Sequence, residues 1–519
     1  MCGNMTRSHT SVAVWLCLCF GAFAQTVYTL DLEKRFQRID NFGASDCWTA
    51  QSAGLFPDAK RNQMADWLFS TEVGTNGQPK GIGLSLWRFN VGAGSAGQGA
   101  ASNITDPQRR TECFLLADGR YDWSKQAGQR WFLQAARRRG VERFLAFCNS
   151  APVSFTANGL ANNGGRPKDG TYNLKPDRYE AFAGFLATVL AELGSREGVR
   201  FDSVSPFNEP EWEWDSPKQE GSPARVEEIA RLVRLLDRAL SERRLDTKIL
   251  VTESGQIDYL YREVRERPEQ DNQIEELFGL AARNGIGGLS HVPKRVAGHS
   301  YWTATPNAVL RATRQSLREK LDAHGLGYWQ TEVCIMQNDR EVGGGGGRDL
   351  TMKTALYVAR LIHYDLCVAH AEAWQWWLGL SSGNYKDGLI NVTPNAGGTD
   401  GEIMDSRLLW TLGNFSRFIR PGAVRVGVSS PQADVDDPAG LMVSSFLHEE
   451  GRLVTCVLVN MADRPVAVRL AVPGRVFRKN AVYLTSDQAG AALQPQAGAD
   501  PLKQYEVPAR SVVTWIGRY

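Results

Sequence analysis

The sequence contains no long basic tract, and its 59 lysines and arginines against 57 acidic residues leave a net charge of only +2. A chain so balanced offers no extended positive surface, so nothing in it points to a nucleic acid or an anionic membrane as partner. The triple arginine at 137–139 closes an amphipathic helical stretch, where positive charges suit the end of a helix. We therefore expect no nucleic-acid partner.

Motifs of several enzyme classes are missing as well. The seven histidines never form H-E-x-x-H or a similar cluster, and no G-x-S-x-G motif marks a nucleophilic serine. No C-x-x-C pair occurs among the six cysteines that follow residue 24, which are Cys47, Cys113, Cys148, Cys334, Cys367 and Cys456. This spacing supports neither a zinc site nor a disulfide-dense scaffold, and it favours buried free thiols. The sequence therefore predicts no metal and no cofactor.

Long apolar runs are also scarce, and the one at residues 11–24 (SVAVWLCLCFGAFA) is too short for a comfortable membrane span. Arg7 and His9 precede this run, and an Ala-Phe-Ala sequence at 22–24 ends it. A charged start, a short apolar stretch and an A-x-A site are typical of a signal peptide. We predict cleavage near Ala24 and export, to the periplasm or the extracellular space, of a protein without a membrane span.

What is present is a regular alternation of apolar runs and amphipathic stretches from about residue 41 to 420. Eight runs have the character of strands: 41–45, 81–90, 143–150, 201–209, 248–254, 295–302, 326–332 and 371–377. Helical periodicity marks the stretches 122–140, 175–196, 222–244, 307–324, 349–369 and 406–419. Near-continuous apolar strands that alternate with helices indicate a parallel sheet, and eight such units predict a (β/α)8 barrel. From residue 421 onward, alternating strands joined by turns predict a β-sandwich.

Polar or aromatic side chains stand where these predicted strands end. In a parallel barrel all strands open at their C-terminal ends on the same face, and active sites are built there. The convergence of such side chains therefore predicts a pocket lined by Asp46, Arg88, Asn90, Asn149, Asn208, Glu209, Glu253, His299, Tyr301, Glu332, Trp374 and Trp376.

Two carboxylates in this set, Glu209 and Glu332, end the fourth and seventh predicted strands, which lie across the barrel mouth from each other. Cleavage of a glycosidic bond requires such a facing pair, one to protonate the leaving oxygen and one to attack or to activate water. Asn208 could hold the sugar 2-hydroxyl. The remaining acids of this stretch lie beyond Pro210 in a loop, where solvated or rim roles are expected: Glu211, Glu213 and Asp215. The alternative is that both glutamates are ordinary ion-paired groups.

The loop tryptophans Trp212 and Trp214 could stack on sugar faces or pack beneath the loop. His299 has two interpretations as well, a satisfied core histidine or a pocket residue, and Tyr301 two positions on favours the pocket.

Taken in order, the segments NFGASDCW, LWRFNVGAG, NSAPVSF, SPFNEPEW, GHSYW, YWQTEV and WQWW resemble glycoside hydrolase family thirty, a retaining family of clan A. The resemblance covers nearly the whole chain after the leader and implies a barrel at 41–420, a β-sandwich at 421–519 and a segment at 25–40 that joins the sandwich. It further implies that Glu209 is the acid/base and Glu332 the nucleophile. The side chains that it implies around the first sugar are Arg88, Asn149, Asn208, His299, Tyr301 and Trp374.

Departures from the family pattern bear on the substrate. The third strand reads CNSAPVSF where many members carry a tryptophan, so Asn149 is expected to alter the first subsite. The NFGASDCW segment and the long loop 92–118 resemble the endo-β-1,6-galactanase branch more than glucosylceramidases or glucuronoxylanases. We therefore expect action on polysaccharide. The alternatives are an exo-acting β-glucosidase, β-xylosidase or glucosylceramidase, a xylanase, and, from another class, a non-catalytic carbohydrate-binding barrel.

Overall fold

The computed structural model describes residues 25–519, so the predicted signal peptide lies outside the described residues. The strands are β1 (Thr26–Arg38), β2 (Asn41–Ser45), β3 (Leu86–Asn90), β4 (Arg143–Phe147), β5 (Ser203–Ser205), β6 (Lys248–Ile249), β7 (Thr252–Ser254), β8 (Arg295–His299), β9 (Gly327–Glu332), β10 (Ala373–Ser381), β11 (Gly388–Pro394), β12 (Gly401–Met404), β13 (Val424–Ser429), β14 (Leu441–His448), β15 (Leu453–Asn460), β16 (Val466–Ala471), β17 (Lys479–Thr485), β18 (Gln494–Pro495), β19 (Tyr505–Val507) and β20 (Ser511–Arg518).

The helices are α1 (Ala50–Ala53), α2 (Asp58–Phe69), α3 (Ser95–Gln98), α4 (Ala127–Arg138), α5 (Tyr179–Glu197), α6 (Val226–Glu242), α7 (Asp258–Tyr261), α8 (Gln273–Phe278), α9 (Asn307–His324), α10 (Met352–Cys367) and α11 (Arg407–Ser416). Short 3-10 turns lie at Gly99–Ser102, Pro107–Arg109 and Arg340–Val342. Within residues 25–519, no helix is long and apolar enough to cross a membrane.

The first sheet is the predicted barrel, and its parallel strands run in the order β6-β5-β4-β3-β2-β10-β9-β8-β7. The two ends of this order, β6 and β7, are separated in sequence only by Leu250 and Val251. They are therefore two halves of the fifth predicted strand, which completes the ring: Leu250 N–H donates to the Val204 carbonyl (2.9 Å) and Ala297 N–H to the Val251 carbonyl (2.7 Å). The prediction of a (β/α)8 barrel is confirmed.

Side chains fill the barrel interior in layers. The lowest layer is apolar and comes from six strand positions: Leu86, Leu145, Leu250, Ala297, Trp329 and Ala373. Above it, the Gln375 side chain donates to Asn41 Oδ1 (3.1 Å), and the Gln375 N–H donates to Gln330 Oε1 (3.1 Å). Because the barrel is packed below this level, a ligand reaches the interior only at the C-terminal ends of the strands.

The second sheet forms the sandwich, in the order β18-β17-β20-β15-β14-β13-β1-β16-β19. The N-terminal strand β1 lies inside it, antiparallel to β13 and parallel to β16, which confirms that the N-terminal segment joins the sandwich. One face of the sandwich packs into the barrel's main core through Met442, Phe446, Val457, Val459 and Val512. The domain limits at 40 and 420 stay predictions.

Candidate active site

Glu209 and Glu332 both line a cleft of about 630 Å³ at the C-terminal end of the barrel strands. One carboxylate oxygen of each lies within 4.8 Å of one of the other. His299 stands between them, with its Nδ1 2.9 Å from Glu209 Oε1 and 3.7 Å from Glu332 Oε1. Two carboxyl groups therefore face the same small volume, and a single imidazole contacts both.

The backbone that carries Glu209 is held in an uncommon conformation. Its φ is +46°, in the left-handed region that non-glycine residues rarely adopt. The Glu209 N–H donates to the Glu253 carbonyl (2.8 Å), and Trp214 Nε1 donates to the Glu209 carbonyl (3.0 Å). A Cβ on Gly255 would lie 3.0 Å from Glu209 Cδ, so glycine there leaves the carboxyl its space. Such constrained backbone is common at functional sites, where neighbours hold it in place.

Glu332 is turned into the cleft by an irregularity at the end of β9. The register between β8 and β9 shifts after Gly298, where His299 pairs with Glu332 instead of Thr331. A bulge of this kind redirects side chains at a strand end. The carboxylate is then held on both oxygens: Arg88 binds Oε2, and Tyr301 donates its hydroxyl to Oε1 (3.0 Å).

Beneath the two glutamates lies a buried charge network centred on Glu253. His299 Nε2 lies 3.0 Å from Glu253 Oε2, and the hydroxyls of Ser205 and Thr331 donate to the same carboxylate. Burial alone would raise the pKa of Glu253, but the adjacent Arg88 and His299 charges outweigh it and lower that pKa to about 2. Glu253 is therefore a permanent anion under the site.

Both ring nitrogens of His299 face carboxylates, so both act as donors only when the imidazole is a cation. Burial opposes that charge and would lower the pKa of His299, but Glu332, Glu209 and Glu253 together raise it to about 10. The pKa of Glu209 is raised, first by burial and further by the charge of Glu332, against the lowering effect of His299. Glu209 therefore holds a proton to higher pH than an exposed glutamate does.

The predicted site residues fall into layers. Asn208, Glu209, Tyr301 and Glu332 line the cleft. Three others have no exposed surface and contact the glutamates from below: Arg88, Glu253 and His299. A direct contact of those three with substrate stays a prediction.

Asp46, Asn90 and Asn149 are buried beside the cleft without appearing in its lining. Asp46 accepts from the Asn90 N–H (2.8 Å) and the Gln129 amide (3.1 Å), and burial raises its pKa to about 7. The side-chain amides of Asn90 and Asn149 have no hydrogen-bond partner within the described chain. A substrate-binding role for these three residues stays a prediction.

The prediction for Trp374 and Trp376 is corrected by the register of β10. Trp374 Nε1 donates to Asp365 on α10 (2.9 Å), and Trp376 Nε1 donates to the Asp387 carbonyl (2.7 Å). Both rings thus pack on the outer face of the strand. Because side chains alternate, Ala373 and Gln375 point inward with Trp377, and Trp377 is the tryptophan that lines the cleft.

Most other lining residues come from loops, and the sequence reasoning missed several of them: Trp48, Arg109, Arg267, Trp302, Trp377, Tyr385 and Asp387. Two aromatic pairs line the cleft together with the glutamates. Trp48 meets Trp377 edge to face (5.5 Å between centroids), and Trp212 meets Trp302 in the same way (5.1 Å). Loop residues follow no periodicity, and the only available signal was the high tryptophan content, 15 residues in the chain.

Comparison with known proteins gives a consistent result for both parts of the chain. Residues 25–391 match the model described as O-Glycosyl hydrolase family 30, and residues 422–515 match the Glycosyl hydrolase family 30 beta sandwich domain. The sequence is 25% identical to an endo-beta-1,6-galactanase of Hypocrea rufa over 419 residues, 77% of this chain and 76% of that protein. It is 34% identical over 232 residues to an exo-beta-1,6-galactobiohydrolase of Bifidobacterium longum, a match that spans 34% of this chain and 15% of that protein.

Among solved structures, a conserved exported protein from Bacteroides fragilis superposes with a TM-score of 0.86 at 35% identity, covering 94% of this chain and all of that one. The similarity thus extends over barrel and sandwich together.

Proposed function

The chain belongs to glycoside hydrolase family 30 and is a glycosidase, and we propose that it is a retaining enzyme that cleaves β-1,6-galactan within the chain. The observation that carries this proposal is the pair Glu209 and Glu332, whose nearest carboxylate oxygens lie within 4.8 Å of each other. Retaining glycosidases hold their carboxyl groups about 5–5.5 Å apart, while inverting enzymes leave about 6.5–9.5 Å for a water. The short separation supports double displacement.

In the first step, Glu332 attacks the anomeric carbon while Glu209 gives its proton to the leaving oxygen. The bond from that carbon to the leaving oxygen breaks, and an ester between the sugar and Glu332 forms. The two donors to Glu332, Arg88 and Tyr301, aim its carboxylate across the cleft. Arg88 also donates to Asn208 Oδ1 (3.3 Å), which leaves the Asn208 amide nitrogen to donate to the sugar 2-hydroxyl.

In the second step, Glu209 takes a proton from a water that attacks the same carbon, and the Glu332 ester breaks. Two inversions leave the product in the β configuration. The burial that raises the pKa of Glu209 suits the first step, in which it must be protonated. The His299 cation then stabilises the Glu209 anion that remains until water donates its proton.

The substrate proposal rests on the relatives. Both named relatives act on β-1,6-linked galactose according to their names, and the endo-acting one matches over three quarters of this chain. The two aromatic pairs in the cleft lining support binding of several sugars at once, which suits attack within a polymer. We also propose export, since the leader pattern at 11–24 agrees with the exported neighbour of known structure.

Incubation of the purified enzyme with β-1,6-galactan, β-1,6-glucan, glucuronoxylan and nitrophenyl β-glycosides should give the highest kcat/KM on β-1,6-galactan. Early products should span several lengths, because an open cleft binds the chain away from its end. Chromatography of early products separates this from release of galactobiose alone, which would indicate exo action. Activity confined to aryl β-glucosides or β-xylosides would contradict the galactanase assignment while leaving the family intact.

A further inference from the structure

A further acid of the cleft, Asp387, has no part in the double displacement. It lies in the loop between β10 and β11, lines the cleft, and is only 5% exposed. Its Oδ1 has no hydrogen-bond partner among the described residues. A buried carboxylate oxygen without a partner is costly, so such an atom in a binding cleft points to a ligand that donates a hydrogen bond.

The position of Asp387 is fixed by its surroundings. Trp376 Nε1 donates to the Asp387 backbone carbonyl (2.7 Å). The neighbouring Lys386 donates from Nζ to the carbonyls of Gly344 (2.7 Å) and Gly346 (2.8 Å). A Cβ on the next residue, Gly388, would lie 2.6 Å from Ser381 Cβ, so strand and loop are tightly packed there. The carboxylate is therefore presented by a held backbone and not by a free loop tip.

The groups around Asp387 complement a sugar. Arg109 stacks its guanidinium on the Trp48 ring (4.7 Å to the centroid), and its nearest described acid is Asp106 at 3.9 Å. Arg109, Trp48 and Tyr385 all line the same cleft. The Asp387 carboxylate can accept hydrogen bonds from sugar hydroxyls, and the Arg109 guanidinium can donate to them. The aromatic rings can stack on the C–H face of a sugar ring.

We propose that Asp387, Arg109, Trp48 and Tyr385 form a sugar subsite in which Asp387 accepts hydrogen bonds from hydroxyl groups of the substrate. The positive charge of Arg109 in this wall favours a neutral polyol there over a metal cation. The inference rests on the proposed glycosidase function and adds a residue that selects the sugar.

The subsite belongs to the Glu332 side of the cleft. Tyr301 contacts Glu332 Oε1 (3.0 Å) and Cys334 Sγ (3.7 Å) with its hydroxyl. The Ile335 N–H donates to the Lys386 carbonyl (3.4 Å), which places the segment that carries Asp387 beside the segment that follows Glu332. Glu209 faces the leaving group, so the opposite side receives the part of the substrate that is transferred to Glu332. Asp387 therefore contacts the glycone.

The test compares wild type with Asp387→Asn on nitrophenyl β-1,6-galactobioside, nitrophenyl β-galactoside and the monodeoxy analogues of the galactobioside. Asparagine keeps the shape and removes the charged acceptor, so kcat/KM on the galactobioside should fall about 10- to 100-fold. For at least one monodeoxy analogue, wild type and variant should differ by no more than about twofold, because the hydroxyl that Asp387 binds is then absent. The aryl galactoside carries only the sugar next to the cleaved bond. A loss of kcat/KM on it would show that Asp387 binds this first sugar, and a loss on the galactobioside alone would show that it binds the second.

Asp258→Asn is the matched control, since Asp258 is similarly buried (7% exposed), also has an unpartnered Oδ1 and does not line the cleft. It should retain wild-type kcat/KM. Arg109→Met, at the partly exposed lip, provides a second variant if Asp387→Asn fails to fold, and a fall of about 5-fold or more is expected. The proposal would be overturned if folded Asp387→Asn kept the wild-type kcat/KM, or, where that variant does not fold, if Arg109→Met kept it. Equal losses on every deoxy analogue would overturn it as well.

The wild-type rates on the same substrates report on the proposed function separately. If wild type prefers a glycone other than galactose, the kcat/KM of the variant and of wild type are compared on the aryl glycoside that wild type cleaves fastest. If the kcat/KM of Asp387→Asn is then far below that of wild type on this glycoside, the subsite is supported although β-galactan is rejected as substrate.

Discussion

Replacement of Glu332 by alanine should lower kcat on β-1,6-galactan by about 10⁴- to 10⁶-fold, because no other group can form the covalent bond to the sugar. Azide supplied to this variant should restore turnover of an activated aryl β-galactoside, since the small anion enters the space that the carboxylate leaves. The product should be the α-galactosyl azide, formed by a single inversion. Mass spectrometry and proton NMR identify it.

Glu341→Ala is the natural control for this variant. Glu341 follows Glu332 closely in sequence, is itself exposed where it pairs with the buried Arg360, and does not line the cleft. It should keep wild-type activity and show no effect of azide. A Glu332→Ala enzyme that still cleaves galactan at a tenth of the wild-type rate or more, roughly, would remove Glu332 from the role of nucleophile.

Replacement of Glu209 by alanine should affect substrates unequally. Hydrolysis of galactan should fall by about 10²- to 10⁴-fold, because its sugar leaving group departs only when protonated. Formation of the glycosyl-enzyme from a dinitrophenyl β-galactoside should fall far less, since that leaving group needs no acid. Single-turnover release of the dinitrophenolate measures this step alone. Equal losses on both substrates would contradict the assignment.

The pH profile gives the same variant a second readout. The raised pKa of Glu209 keeps the acid protonated into a higher pH range, and galactan turnover should fall as pH rises through that pKa. In Glu209→Ala the residual turnover of galactan should lose this alkaline limb, because the group that titrates is gone. The rate would then be level across the range in which wild type declines.

The barrel and the glutamate pair were predictable because they depend on periodicity. Apolar strands must alternate with helices to form a closed parallel sheet. Glu332 ends β9 and Glu209 follows the end of β5, at the face of the barrel where the fold brings side chains together. The fifth strand was also recognised as one run at 248–254, although the structure divides it into β6 and β7. The position of Glu209 and Glu332 relative to the predicted strands was therefore sufficient to place both at the mouth of the barrel.

Depth and register within the site were not predictable in the same way. WQWW presents tryptophans on both faces of β10, and only the pairing with its neighbours reveals that Trp377 faces the cleft. Glu253 and His299 lie at strand ends and Glu209 follows one, yet only Glu209 of these three lines the cleft, while the other two have no exposed surface. Asp387 comes from a loop, where no repeat in the sequence indicates which side chains face inward.

The central claim, retention through a covalent bond to Glu332, is tested most directly by the anomer that the enzyme first releases. Proton NMR of galactan or aryl β-galactobioside digests, recorded within minutes of mixing with a high concentration of enzyme, should show the β-anomeric signal of the new reducing end first. The α signal should then grow at the rate of spontaneous mutarotation. Initial release of the α-anomer would contradict double displacement and, with it, the roles assigned to both glutamates.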